Sequence, residues 1–373
     1  MKTIPSVRQV ICSNPHSVFR YFAWPSVERL HDGTLAAVCS GFRLGHVCPF
    51  GKVVICYSRD EGQTWTAPAP VMDTPMDDRD AGLTAFGSGR VMLTSFNHPF
   101  TFYRKENEMY GSPERRQLIS AYLDYVEPTD AEAKYLGSTY RISEDGGYTF
   151  GPVRIAPVSA PHGAIRMPDG SLIYIGRASA PESCGSSFPP EASTLSVWKF
   201  DEQDAFIKLC DIENIGDEHG WMLSCEPHAL ALPDGRIILH IRVQRKEPYR
   251  VFTIYQCESF DGGHSFTRPH QILSDLGGSP PHLMQHSSGR IICSFGYREA
   301  PCGIRVSFSD DQGETWSEPY VLEDGCPCWD MGYPATVERE DGSLLTIYYE
   351  ATYASGKPEE SSIVQRIWRM PDL

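Results

Sequence analysis

The sequence predicts an all-β chain wound into a six-bladed β-propeller, and two interleaved repeats predict it. The first is S-x-D-x-G-x-(T/S)-(W/F), which occurs four times, at 58–65, 143–150, 259–266 and 309–316. A pattern that recurs at intervals of tens of residues marks an array of like units. In each copy the Asp and the hydroxyl residues suit the backbone groups of a turn. The Gly suits a positive φ, and the aromatic suits packing between sheets. The second repeat is a short apolar strand, an Asp-Gly or Ser-Gly turn, and another apolar strand. Its turn glycines are Gly33, Gly89, Gly170, Gly235, Gly289 and Gly342. Asp-Gly between alternating apolar residues is the strongest short-range hairpin signal.

The six glycines are spaced by 56, 81, 65, 54 and 53 residues, as read from their numbers. Those intervals fit one four-stranded blade each, with extra chain in the second. In this arrangement each hairpin supplies the two inner strands of a blade, and the S-x-D turn follows on the outer side. The extra chain, about 100–135, is polar and partly helical in pattern, which suits a surface excursion, a lid over the central face or an oligomer contact. The last apolar segment, Ser362-Ile-Val-Gln-Arg-Ile-Trp-Arg-Met, reads as a strand. Ser6-Val-Arg-Gln-Val-Ile at the start is expected to join it in one blade, closing the ring and removing the exposed sheet edges. The whole span 1–373 reads as a single domain.

Composition narrows the function. With 33 basic against 48 acidic residues, the net charge is −15, which argues against nucleic acid or an anionic membrane as partner. No apolar run approaches the ~18 residues of a membrane span. The opening Met1-Lys-Thr-Ile-Pro-Ser-Val-Arg has no hydrophobic leader pattern, so a cytoplasmic location is expected. None of the 12 cysteines has the spacing of a zinc site. Cys39, Cys56 and Cys293 fall in apolar strand patterns and read as buried thiols. No cofactor or metal is expected.

Polar residues recur where the inner strands would open onto the central channel. Their starts carry Trp24-Pro25, Asp77-Asp78-Arg79-Asp80, Pro161-His162, Glu226-Pro227-His228, Pro281-His282 and Asp330-Met-Gly-Tyr333-Pro334. The hairpin ends carry Arg43, Asn97-His98, Arg177, Arg242, Arg298 and Glu350. Repetition at equivalent positions carries more weight than any one residue, since a single His is more often structural than catalytic.

The S-x-D-x-G-x-(T/S)-(W/F) turns resemble the Asp-box of bacterial sialidases, and the resemblance extends over nearly the whole chain. It implies a Tyr nucleophile in the last blade, activated by a Glu that opens the fourth. Tyr333, in Gly332-Tyr333-Pro334, and Glu226, in Glu226-Pro227, stand in those places. A neutral phenol suits a substrate whose own carboxylate repels a carboxylate nucleophile. The resemblance also implies three Arg that grip that carboxylate, for which a planar guanidinium fork is fitted. Arg242 and Arg298 match two of them. The family's first clamp Arg lies in Phe-Arg-Ile-Pro, and this chain has Phe22-Ala23-Trp24-Pro25. Arg43 or Arg20 would substitute, with Arg79 the stronger candidate. Where the family has its acid/base Asp, this chain has His46, and Asp77, Asp78 or Asp80 offers an alternative.

The resemblance therefore implies an exo-acting, retaining hydrolase of a terminal sialic acid or related acidic sugar. Its catalytic set is Tyr333, Glu226 and either His46 or Asp78/Asp80. Arg242, Arg298, Arg79, Arg43, His162, His228, His282 and Trp24 form the binding set. A glycan or small acidic sugar is the expected partner. Two other readings stay open. A uronate-specific lyase or hydrolase would use His162, His228 and His282, with or without a divalent metal, and a non-catalytic propeller would only bind carbohydrate.

Overall fold

The computed structural model describes residues 1–109, 112–178, 194–273, 277, 280–354 and 357–371. Six antiparallel four-stranded sheets stand around a central axis, and each is one blade of a propeller. Blade 1 comprises Tyr21–Arg29, Leu35–Arg43, Lys52–Ser58 and Ala69–Met72. Blade 2 comprises Arg79–Phe86, Arg90–Phe96, Ser138–Ser143 and Arg154–Ala156. Blades 3, 4 and 5 open with Ile165–Arg166, Leu223–Ala231 and Pro281–Gln285. Blade 6 takes Met331–Glu338, Leu344–Ala354 and Lys357–Trp368, and Ser6–Cys12 adds its outermost strand. Val7 pairs with Ile367 and Val10 with Val364, so the two ends of the chain close the ring as the repeat pattern required.

The hairpin glycines all have positive φ, from 72° at Gly342 to 93° at Gly89, a region that glycine enters without a Cβ clash. The four S-x-D turns each connect the third strand of a blade to its fourth. In the first, Ser58 Oγ donates to Asp60 Oδ1 (2.8 Å) and accepts from Gly62 N (2.8 Å), while Thr64 N donates to the same Asp60 oxygen (2.8 Å). The turns at Asp145, Asp261 and Asp311 repeat these bonds. Their aromatics reach back to the preceding blade. Trp65 Nε1 donates to Gln365 of blade 6, and Trp316 Nε1 to Gln256 of blade 4.

Apolar side chains therefore form six clusters, one at each blade interface, in place of a single core. The 100–135 segment folds as three helices, α1 (Phe100–Met109), α2 (Pro113–Val126) and α3 (Ala131–Tyr135). Ser112 caps α2 and Pro113 opens it, a favourable pairing because proline has no N–H to leave unpaired in the first turn. The helices bury Ile119, Leu123 and Val126 against Leu44, Cys48 and Met76. Tyr122 Oη donates to Pro75 O (2.6 Å), and Arg115 Nη2 to Val47 O (2.9 Å). The excursion thus backs the loop 44–50, which carries His46. Among the described residues, no helix is long and apolar enough to cross a membrane.

Candidate active site

Four inner strands break their ladder near the mouth of the channel. The register slips around Trp24 in blade 1, Asp80 in blade 2, Glu226 in blade 4 and Tyr333 in blade 6. Each of these four has a left-handed backbone, with φ of 55°, 44°, 47° and 53°. Non-glycine residues rarely hold this conformation, and a bulge that imposes it re-aims the side chain. Proline follows at 25, 227 and 334. A bulge tolerates proline because the ladder needs no N–H there. The X-Pro dipeptides are the sequence signal of the bulges, and blade 2 lacks it because Ala81 follows Asp80.

The bulges bring Tyr333 and Glu226 together. Tyr333 Oη donates to Glu226 Oε1 at 2.6 Å, and Glu226 Oε2 pairs with the Arg242 guanidinium. Burial would raise the Glu226 carboxyl, but Arg242 and the Tyr333 hydrogen bond hold it below its ordinary value. Burial and then the charges of Glu226 and Asp80 push the Tyr333 phenol well above its usual range. The pair therefore rests as phenol and carboxylate.

Asp80 is nearly buried, at 7% exposure. Burial first, and then the charge of Glu226, raises its carboxyl to about 7, against the opposing pull of Arg79. His46 packs edge-on against Trp24, with ring centres 5.2 Å apart. Its Nδ1 sits 2.9 Å from Asp330 Oδ1, and its side chain is 36% exposed. Asp330 also accepts from Tyr21 Oη (2.7 Å) and Tyr349 Oη (2.8 Å). Although burial alone would raise Asp330, His46 and the two phenols hold it at about 2. Asp330 was expected at the mouth but not in the catalytic or binding set, and Tyr21 and Tyr349 were not expected there at all.

The arginines divide into two kinds. Among the described residues, the Arg298 guanidinium donates only to the Met331 carbonyl (3.3 and 3.1 Å), and it lies 5.8 Å from the Tyr333 ring centre. Arg242 is more constrained, since Glu226 and Gln244 Oε1 (3.2 and 2.7 Å) take its donors. Arg79 lies over Trp24, 4.1 Å from the ring centre, and donates to His46 O (3.0 Å) and Asp77 Oδ2 (3.3 Å), while its buried Nε has no partner among the described residues. These three border the Tyr333–Glu226 pair or the Trp24 face beside it.

Several expected site residues do other work. Arg43 is fully buried and forked onto Asp77, with Nη2 to Oδ2 at 2.9 Å. Asp77 is also bonded by Tyr103 of α1 (2.9 Å). Arg43 is thus a structural ion pair rather than a clamp. Asp78 turns its carboxylate into its own loop, where Thr74 N (2.8 Å) and Thr74 Oγ1 (2.9 Å) donate to it, so it is not an acid at the mouth. Trp24 is 1% exposed and forms the floor between Arg79 and His46 rather than a binding face.

His162, His228 and His282 do meet, with ring centres 4.4–5.3 Å apart, but as links between blades. His228 Nδ1 accepts from Leu283 N (2.9 Å), His282 Nδ1 accepts from Thr336 N (3.4 Å), and His162 Nδ1 bonds Ser26 Oγ (2.9 Å). A ring whose Nδ1 accepts an N–H keeps its proton on Nε2, which leaves that nitrogen no lone pair for a metal. Among the described residues, no group of three or more His, Cys, Asp or Glu is arranged to hold a metal ion.

Residues 125–346 match the family described as BNR repeat-like domain. No curated protein matches the chain significantly. Among solved structures, a Dyadobacter fermentans protein of unknown function is similar over 100% of both chains, with a TM-score of 0.73 and 19% identity. The NanB sialidase of Streptococcus pneumoniae is similar over 97% of this chain and 70% of its own, with a TM-score of 0.68 and 12% identity. The Penicillium chrysogenum α-L-arabinanase is similar over 97% and 98%, with a TM-score of 0.62 and 15% identity. At these identities the likeness is one of fold.

Proposed function

Because the chain belongs to the BNR repeat-like family, on a six-bladed propeller like that of sialidases, we propose that it is a retaining exo-glycosidase that releases a terminal sialic acid or related acidic sugar. The observation that carries this reading is the 2.6 Å hydrogen bond from Tyr333 Oη to Glu226 Oε1, with Arg242 and Arg298 beside it. Tyr333 Oη attacks the anomeric carbon as its proton passes to Glu226. The glycosidic C–O bond breaks, and the departing oxygen takes a proton from His46, whose ring Asp330 orients. Water then adds to the same carbon and gives its proton to His46. The bond to Tyr333 breaks, and Glu226 returns the phenol's proton. Two inversions give net retention.

Arg298 and Arg79 hold the substrate carboxylate, with Arg242 supporting Glu226 and contributing charge. A buried site makes these electrostatic terms larger than they would be in water. The test is incubation with sialosides, other ulosonic-acid glycosides and uronides, following product stereochemistry by NMR. Release of the α-anomer of an acidic sugar is expected. A 2,3-difluoro analogue should leave a sugar adduct on the peptide containing Tyr333, read by mass spectrometry. Inversion, an unsaturated product or an adduct elsewhere overturns the reading.

A further inference from the structure

A second cavity adjoins the Tyr333–Glu226 centre. It is an open groove of about 730 Å³ lined by Trp221, Gln244, Lys246, Phe252, Arg298 and Trp329, among others. It shares its wall with the centre, because Arg298 lines it 5.8 Å from the Tyr333 ring centre and Gln244 lines it while accepting from Arg242. Trp329, at its near end, has its ring centre 6.4 Å from that of His46.

Two features mark the groove as built. Trp221 and Trp329 are 37% and 50% exposed, although tryptophan is usually well buried. Trp221 also stands on a dedicated two-strand hairpin, Gly216–Asp217 with Gly220–Trp221, which belongs to none of the six blades. Arg245 clamps that hairpin through Asp217 (2.6 and 2.9 Å) and Gly220 O (3.3 Å). His219 packs on Tyr249 with ring centres 4.8 Å apart. The indole is thus presented on a held support. Exposed Lys246 also lines the groove and adds a hydrogen-bond donor.

We propose that this groove binds the leaving-group side of the substrate, so that the enzyme acts on the end of an oligosaccharide rather than on a short glycoside. The inference rests on the glycosidase reading above. The apolar C–H face of a pyranose ring stacks on Trp221 and another on Trp329, and Lys246 and Gln244 meet their hydroxyls. The acid/base His46 then lies beside Trp329, where the departing oxygen would emerge. The substrate class is an oligosaccharide of at least two sugars bearing the acidic sugar at its end.

The experiment pairs binding with turnover. Lacto-N-tetraose, a neutral leaving-group mimic, is titrated by intrinsic tryptophan fluorescence into the wild type, Trp221→Ala, Trp221→Phe and Lys246→Ala. The same proteins are assayed on sialylated lacto-N-tetraose and on the methyl glycoside of the same acidic sugar, whose leaving group is too short to reach the tryptophans. We expect saturable quenching in the wild type and about tenfold weaker binding in Trp221→Ala, with partial rescue in Trp221→Phe. KM for the oligosaccharide should rise by a similar factor while the methyl glycoside is unaffected. Absent quenching, or equal binding by wild type and both the Trp221→Ala and Lys246→Ala variants, overturns the groove assignment. Binding without turnover of either substrate upholds the groove and sinks the glycosidase reading instead.

Discussion

Glu226 and Tyr333 face each other from bulges in blades 4 and 6, each with a left-handed backbone (φ 47° and 53°). The two bulges use the same device, so neither side chain reaches the channel by flexing from an ordinary strand. Removing either member should stop the chemistry while sparing binding. Glu226→Gln is expected to lower kcat by about 10²–10⁴-fold, and Tyr333→Phe to abolish the covalent adduct. Calorimetric titration with the product sugar should show affinity within a few-fold of wild type for Tyr333→Phe. Turnover by Tyr333→Phe at the wild-type rate would remove it as nucleophile.

His46 and Asp80 can be separated by leaving group and by pH. If His46 donates the proton, His46→Ala should lose about 10²-fold on an alkyl glycoside and much less on an aryl glycoside, whose oxygen departs unaided. Asp80, raised to about 7, is neutral below that pH and charged above it. If its neutral form is needed, activity falls as pH rises through about 7, and Asp80→Asn removes that limb. An Asp80→Asn profile that matches wild type, with His46→Ala equally impaired on both glycosides, would argue against both roles.

Among the described residues, Arg298 spends its donors on a carbonyl alone, which leaves its charge to an anion. Arg298→Ala should raise KM for a carboxylate-bearing substrate by about 10–100-fold, the loss expected for a charge-assisted bond. The corresponding carboxamide substrate should show little difference between the two proteins. Equal effects on acid and amide would end the carboxylate-clamp role.

Burial and mutual repulsion hold His162, His228 and His282 well below the ordinary histidine value. An unfolded chain takes up these protons near pH 6.5, whereas the folded one resists them. Folded pKa values that are depressed confer stability above the unfolded value and lose it as pH falls. The melting temperature should therefore drop steadily below pH 6.5, and His228→Gln should flatten that slope. A variant with an unchanged slope would assign the acid sensitivity to other groups.

The Arg43–Asp77 pair, fully buried on both sides, should be intolerant of losing one partner. Asp77→Asn leaves an uncompensated buried charge and should cost about 3–5 kcal/mol, measured by urea unfolding. Gly51 closes over the same pair, since a Cβ there would overlap both the Arg43 guanidinium and the Asp77 carboxylate. Gly51→Ala should be destabilising as well, and a neutral outcome for both substitutions would show the pair to be dispensable.

The sequence carried the scaffold openly. Turn chemistry is local, so Asp60, Gly62 and Thr64 declare their turn wherever they occur, and the six hairpin glycines count the blades. Tyr333 and Glu226 were singled out by the family resemblance, and their X-Pro dipeptides mark the bulges only once the structure is seen. Which mouth residues point into the channel was not legible, because a bulge inverts the strand alternation that sequence reading relies on. Asp78 and Asp80 differ by two positions, and only the left-handed φ at Asp80 distinguishes their surroundings. The role of α1–α3 was hidden for another reason. Ile119, Leu123 and Val126 carry helical spacing, but spacing does not name the distant loop 44–50 that this face covers.

The blade bearing Tyr333 is also the one stitched from both ends of the ring, since Ser6–Cys12 lies beside Lys357–Trp368. Glu226 sits in a blade built from consecutive strands, whereas the sheet of Tyr333 is complete only when strands separated by most of the sequence pair. The Tyr333–Glu226 contact therefore joins a local fold to a long-range one, and loosening the Ser6–Cys12 strand would disturb only the Tyr333 side of it.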